Sequence, residues 1–266
     1  MQMEYPWDGI ITSPLTGRAT KPRLNGMTMV IDKGLPLIET EDWLKLTSSF
    51  IDFLKLSFGT AALYQTDLIK RKMELTIEHH VMIYPGGTFF EIAVWQNQLD
   101  FFLTRLQELG FKWLEISDGT LEISLKKRRE IIRKAIDYGF KVITEVGKKD
   151  PKEQPADQFL IETALSDLDL GVQWVIIEAR ESGKGIGIFD TDGAVIEAKT
   201  DVFANKLPLE KIIWEAPLKN QQAILINRYG TNVNLGNIAP AEALALEALR
   251  RGYRSDTWKN CLIKNN

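Results

Sequence analysis

Four short apolar runs of this chain each end in or near a carboxylate: Leu114-Glu115-Ile116-Ser117-Asp118, Ile143-Thr144-Glu145, Ile176-Ile177-Glu178 and Ile213-Trp214-Glu215. A fifth, Asp52–Ser57, carries Lys55 between Leu54 and Leu56. Side chains alternate between the faces of a strand, so Glu115 and Ser117 share one face and Leu114 and Ile116 the other. The apolar face has to meet covering helices. That turns Glu115 and Ser117, and by the same parity Lys55 and Ser57, toward a shared interior. One such carboxylate could cap a loop or pair with an arginine. Four converging with a lysine in a confined mouth need compensation, and a divalent cation is an efficient partner.

Three glycine-bearing turns follow candidate strands. In Pro85-Gly86-Gly87-Thr88, paired glycines let backbone N–H groups approach an anion, with an ordinary tight turn as the alternative. Glu145-Val146-Gly147-Lys148-Lys149-Asp150 sets two ammonium groups beside the mouth. Asn234-Leu235-Gly236-Asn237-Ile238 follows the last run, where barrels commonly bind phosphate at a helix amino terminus, although Asn and Gly are also good turn formers. Gly183-Lys184-Gly185-Ile186-Gly187 precedes no clear helix start and is a weak nucleotide signal. Glu91 and Asp100 fall on helical stretches and read as solvated faces. His79 and His80 fall at the start of a strand, at the end opposite the site, and read as structural. With no other histidines, neither a Ser-His-Asp nor a Cys-His arrangement can be assembled.

The elements that would hold these residues alternate. The strands are expected at Met27–Asp32, Asp52–Ser57, His80–Tyr84, Trp113–Ser117, Lys141–Glu145, Trp174–Glu178, Ile212–Glu215 and Asn232–Leu235. Between them, Leu99, Phe102, Leu103, Leu106 and Leu109 form a one-sided stripe of helical spacing, and Ile131, Ile132, Ala135 and Ile136 repeat it before Gly139. Pro240 and Gly252 bracket the last helix in the usual order. Alternation of this kind calls for a parallel sheet with right-handed crossovers. Eight units in about 250 residues is the size of one closed (β/α)8 TIM barrel. An open doubly wound sheet is the rival, but the first strand-to-helix turn lacks G-x-G-x-x-G. The expected organisation is an arm at residues 1–25 and a single barrel domain at 26–266. The apolar residues of the arm hint at contact with another subunit.

Composition narrows the classes. The 266 residues are 44% hydrophobic, enough for a sizeable core, and 33 Lys+Arg against 36 Asp+Glu give a net charge of −3. No basic, aromatic-interleaved stretch suggests nucleic acid. Cys261 is the sole cysteine, so no intrachain disulfide or cysteine metal site can form, and its place near the end reads as incidental. The amino terminus carries Glu4 and Asp8 and lacks a long apolar run, and no stretch approaches the roughly 20 apolar residues of a membrane span. A soluble cytoplasmic protein is expected.

The same turns resemble the phosphosulfolactate synthase family. The matching segments are Met27–Gly34, Tyr84–Thr88, Glu115–Gly119, Glu145–Lys149, Glu178–Gly183, Trp214–Pro217, Asn232–Ile238 and Leu249–Gly252, in order across Met27 to Thr257. The resemblance implies a (β/α)8 barrel that adds sulfite to phosphoenolpyruvate with Mg²⁺, giving 2-phospho-3-sulfolactate, a precursor of coenzyme M in methanogens. The family also includes plant heat-stress-associated proteins. The resemblance further implies a catalytic lysine after the fifth strand, which falls on Lys149, with Lys148 adjacent. Two features depart from the pattern. Family members tend to read Lys-Phe-Gly-Trp-Gly-Thr where this chain has Lys55-Leu56-Ser57-Phe58-Gly59-Thr60, so Ser57 would narrow the pocket floor. The arm is also longer than in shorter members.

For that reaction, the expected ligands of Mg²⁺ are drawn from Glu115, Glu145 and Glu178, since Mg²⁺ takes only one or two carboxylates and keeps waters. Lys149 would deliver a proton to C2, its pKa lowered by Lys148 beside it. Lys33, Lys55 and Arg180 would attract the anionic substrates, with Gly86, Gly87, Asn234, Gly236 and Asn237 near phosphate. Two other readings remain open: a Schiff-base aldolase using Lys55 or Lys149, and a barrel without turnover that binds or protects.

Overall fold

The computed structural model describes residues 5–264, with side chains through residue 259, so the side chain of Cys261 lies outside the described residues. In chain order the elements are β1 (Thr28–Asp32), α1 (Leu37–Thr47), β2 (Phe53–Leu56), α2 (Thr66–Glu78), β3 (Met82–Pro85), α3 (Gly87–Trp95), α4 (Leu99–Leu109), β4 (Trp113–Ile116) and α5 (Leu125–Asp137). They continue as β5 (Lys141–Val146), α6 (Asp157–Asp169), β6 (Trp174–Ile177), α7 (Glu197–Lys206), β7 (Ile212–Glu215), α8 (Lys219–Tyr229), β8 (Leu235–Ile238), α9 (Ala243–Arg250) and α10 (Ser255–Lys264). All strand pairs are parallel, in the order β3-β2-β1-β8-β7-β6-β5-β4. The chain is a nearly closed (β/α)8 TIM barrel.

The open seam lies between β3 and β4, and the sequence explains it. The N–H groups of Met82 and Gly86 donate toward β2, so those of Ile83 and residue 85 face β4. Residue 85 is Pro85, which has no N–H to give. Above the gap, Gly87 N–H donates to the Glu115 carboxylate at 2.6 Å. A side chain on Gly87 could not fit, because its Cβ would lie 2.3 Å from Ser117 Oγ.

The two-residue alternation divides the strands as their sequence implies. Leu54, Leu56, Leu114, Ile116, Val175 and Ile177 face outward into the core shared with the helices. Met29, Phe53, Tyr84, Trp113, Ile143, Trp174, Ile176 and Ile213 fill the interior. Phe53 meets Trp113 and Trp174 edge-on at 5.2 and 5.6 Å, a favourable arrangement of aromatic rings. This apolar plug is the floor on which the charged residues stand. α4 carries the expected apolar stripe, burying Phe102, Leu103 and Leu106, and ends at Gly110, whose left-handed φ of 96° favours a residue without Cβ. Ser124 caps α5 by accepting from Lys127 N–H.

The eighth strand is a correction: it runs Leu235–Ile238, not Asn232–Leu235. Asn232 instead ties the amino-terminal segment, accepting from Ala19 N–H and donating to Gly17 O. Asn234 accepts from Met27 N–H and donates to Ile212 O. The supposed turn Gly236-Asn237 lies within the strand, at a bulge where Asn237 adopts φ 57°. His79 and His80 precede β3 rather than open it.

Residues 5–26 form neither strand nor helix and pack against the amino-terminal end of the barrel. Arg23 chelates Asp52, Arg18 pairs with Glu247, and Lys21 Nζ donates to three carbonyls, those of Ser48, Ile51 and His80. Trp7, Ile10 and Ile11 remain exposed. Among the described residues, no helix is long and apolar enough to cross a membrane.

Candidate active site

Lys55 from β2, Glu115 from β4, Glu145 from β5, Glu178 just beyond β6 and Glu215 from the end of β7 all turn inward at the carboxyl-terminal rim. All five are buried. Lys55 Nζ stands 2.9 Å from Glu115, 3.2 Å from Glu145 and 3.6 Å from Glu215. Above them opens a cavity of about 430 Å³, also lined by Ser57, Phe58, Gly86, Gly87, Thr88, Lys149, Arg180, Glu181, Ser182 and Asn237.

Four carboxylates face two ammonium groups, and their protonation diverges accordingly. Burial disfavours the charge of Lys55, but Glu115, Glu145 and Glu215 outweigh it and hold the ammonium well above its ordinary range. Burial raises Glu115 to about 7 despite Lys55. Burial acts on Glu145 too, yet Lys55 and Lys149 bring it down to about 2. Glu178 is pushed well above the carboxylate range by burial and then by the charges of Glu145 and Glu215. Burial also raises Glu215. The ring thus holds an excess of negative charge that protons or a cation must offset.

The lysine pair splits. Lys149 N–H donates to Gly119 O, and its Nζ reaches Thr88 Oγ1 at 2.9 Å, with Glu91 at 3.6 Å and Glu145 at 3.8 Å. Lys148 turns away and donates to Asp118 O and Leu121 O, so it does not reach the cavity. The expected lowering of Lys149 is also corrected. Burial does pull it down, but Glu145, Glu178 and Glu91 together raise it. The cation that does oppose them is Lys55, while the Lys148 ammonium points to carbonyls of the β4–α5 loop.

Other expected positions sort by depth. Gly86, Gly87, Arg180 and Asn237 line the cavity. The Gly87 N–H is already given to Glu115. Arg180, with φ 62°, donates through its side chain to Lys149 O at 3.3 Å. Lys33 sits outside the lining, half-exposed and ion-paired with Glu181 at the rim. Asn234 lies at the other end of the barrel because the eighth strand starts after it. Gly236 faces the plug: a Cβ there would meet Met29 Cε at 2.4 Å, so it makes room for Met29 rather than for phosphate. Ser57 does line the cavity, donating to Lys55 O.

The clearest omission is Glu91, expected on a solvated face but 3% exposed. The available signal was its company: within Phe89-Phe90-Glu91-Ile92-Ala93-Val94 it is the only charge, too apolar a stretch to be a wholly solvated face, and Glu91 falls on the covered side while Ile92 and Trp95 are the exposed ones. Asp100, by contrast, is exposed and pairs with Lys134. Arg128 also went unnoticed. It is fully buried, pairs with Asp167 and Asp118, and donates to the Glu145 carbonyl at 3.1 Å, fixing the end of β5.

Among the described residues, one group of carboxylates could hold a metal ion. Glu145, Glu178 and Glu215 each offer an oxygen, all within 4.8 Å of one another. Glu145 Oε1 is buried and accepts no hydrogen bond. A hard divalent cation fits that oxygen-only donor set. This group shares Glu145 and Glu178 with the expected set and has Glu215 where Glu115 was expected; Glu115 and Glu215 alike accept a backbone N–H, from Gly87 and Ala179, and face Lys55.

Known proteins bear on this geometry. The chain is 46% identical over 237 residues to a phosphosulfolactate synthase of Methanocaldococcus jannaschii, covering 88% of this chain and 94% of that one. It is 43% identical over 251 residues to the phosphosulfolactate synthase of Methanothermobacter thermautotrophicus, covering 93% and 95%. Heat-stress-associated protein 32 of Arabidopsis thaliana is similar at 24% identity over 260 residues, 88% of each chain. The crystal structure of a phosphonopyruvate hydrolase shares the fold, with a TM-score of 0.55 at 12% identity over 86% of this chain and 81% of that one. The family model described as (2R)-phospho-3-sulfolactate synthase (ComA) matches residues 16–256, and the chain belongs to that enzyme family.

Proposed function

We propose that this chain adds sulfite to phosphoenolpyruvate, with Mg²⁺ held by Glu145, Glu178 and Glu215 and Lys149 as proton donor. The observation that carries the reading is the meeting of Lys149 with this carboxylate trio at one rim. The sulfur lone pair forms the C–S bond at C3, the C2=C3 electrons move toward the carboxylate, and C2 then takes a proton. The phosphate ester stays intact, and nothing is oxidised or reduced. When bound, the metal ion supplies positive charge against the carboxylate oxygens on which electrons accumulate.

The chain's own residues supply the rest. Lys149 is held protonated and reaches the cavity through the gap between Gly119 and Thr88. Once Glu145 and Glu178 are neutralised, the upward pull on Lys149 weakens and its proton becomes easier to release. Arg180 at the mouth carries a planar guanidinium suited to a carboxylate or phosphate. The interior plug that includes Phe53, Tyr84, Ile143 and Ile213 lies beneath the charged ring, and the cavity opens at the rim. A Schiff-base aldolase needs a neutral amine, whereas both Lys55 and Lys149 are held as ammonium ions. A binding protein without turnover has no need to bury this charged ring.

The test is direct. Purified protein given phosphoenolpyruvate, sulfite and Mg²⁺ is expected to form phosphosulfolactate, followed by phosphorus NMR, and to stop on chelation. No sulfite-dependent consumption of phosphoenolpyruvate would sink the reading. Glu178→Gln and Glu215→Gln are each expected to raise the Mg²⁺ needed for half-maximal rate by at least about 10-fold, since even outer-shell losses cost that much. Unchanged metal titrations in both variants would remove these residues from the ligand set.

A further inference from the structure

Glu91 takes no part in the chemistry above, yet it is a buried carboxylate with both oxygens engaged. Its Oε2 accepts from Thr120 N–H at 2.8 Å and Leu121 N–H at 2.6 Å. Its Oε1 accepts from Ser117 Oγ at 2.7 Å and faces Lys149 Nζ at 3.6 Å. Thr88, three residues earlier on α3, lies on the same helix face and receives the Lys149 ammonium. Lys149 therefore rests between two side chains of one helical turn. The third side is the backbone of Gly119, where a Cβ would stand 3.2 Å from Lys149 Cγ and Cε. Glu91 also fixes that wall, because Thr120 and Leu121 follow Gly119 directly.

From this geometry we infer that Glu91 is a positioning residue: by charge and by its grip on the 117–121 loop, it aims the Lys149 ammonium at one face of the reacting carbon. The inference rests on the reading of Lys149 as proton donor. Its consequence is stereochemical. C2 becomes a stereocentre when it takes its proton, so a lysine held on one side gives a product of one configuration. A lysine free to swing competes with water arriving from either face.

Glutamine at position 91 isolates the charge. Its amide oxygen can still accept from Thr120 and Leu121, and its amide N–H can donate to the Ser117 hydroxyl, which is able to accept. Only the attraction to Lys149 is lost.

The experiment compares full-length wild type, Glu91→Gln and Lys149→Ala with phosphoenolpyruvate, sulfite and Mg²⁺, reading kcat, KM, melting temperature and the C2 configuration of the product. Glu91→Gln is expected to melt like the wild type and keep its KM. Its kcat is expected to fall about 10- to 100-fold, the scale of a misplaced catalytic group, with both C2 configurations formed. Wild-type kcat with a single configuration overturns the inference. So does a lower kcat with one configuration, the signature of a purely structural defect. Lys149→Ala turning over at near-normal rate sinks the proton-donor reading itself. An impaired Lys149→Ala beside an unaffected Glu91→Gln sinks only the role of Glu91.

Discussion

Lys149→Ala is expected to lower kcat by about 10²- to 10⁴-fold, the usual worth of a positioned acid, with the fold retained. The side chain is 28% exposed and lines the cavity, outside both hydrophobic clusters, so alanine enlarges the pocket rather than opening the core. Its backbone bond to Gly119 survives the substitution. Loss of the ammonium also removes positive charge from the cavity, which would weaken binding of two anions. Lys149→Arg separates the two effects. Guanidinium keeps the charge but does not release its proton at working pH. If proton donation is the role, the arginine variant recovers KM and leaves kcat low; if charge alone matters, it recovers both. Steady-state kinetics on the three proteins decide, and near-normal kcat in the alanine variant removes Lys149 from the chemistry.

Much of this site was legible because strand geometry is simple. A period of two fixes which side chains share a face, and an apolar outer face forces Lys55, Glu115 and Glu145 inward, where they are found. The barrel followed from counting alternations. The errors share a cause: the pattern specifies faces, not partners. Asn232-Val233-Asn234-Leu235 alternates as a strand does, but its asparagines spend their amides on loop backbone, and pairing begins only at Leu235. Lys148 and Lys149 are indistinguishable by type, and only the carbonyls of Asp118 and Leu121 show why the first turns away. Glu91 looked solvated because its helix was read alone, and its partners come from a loop 26 to 30 positions further on. The grouping of Glu215 with Glu145 and Glu178 is a matter of oxygen spacing around the rim, which a strand-by-strand pattern does not give.

Lys55→Met is expected to cost about 3–5 kcal/mol at neutral pH, the usual result of removing one partner from a buried ion pair. Domains are stable by only about 5–15 kcal/mol, so denaturant unfolding should register a large loss. Methionine approximates the lysine stem in volume, so the loss reports charge rather than a cavity. The pH dependence provides the signature. In the wild type, Lys55 helps hold Glu145 at about 2, so its contribution is complete above the ordinary carboxylate range and fades as pH falls through about 2. Without Lys55, burial lifts Glu145 in the direction it already lifts Glu115, to about 7. The folded variant then binds protons that the unfolded chain has released, and its stability falls as pH rises above the ordinary carboxylate range. Its deficit relative to the wild type should therefore be smallest near pH 5 and widest above neutrality. Millimolar Mg²⁺ should narrow it, because an ion that binds only the folded ring stabilises it by mass action. A deficit that is flat with pH, or absent at pH 7.5, would mean that the carboxylates of β4, β5 and β7 are not held in place by the ammonium of β2.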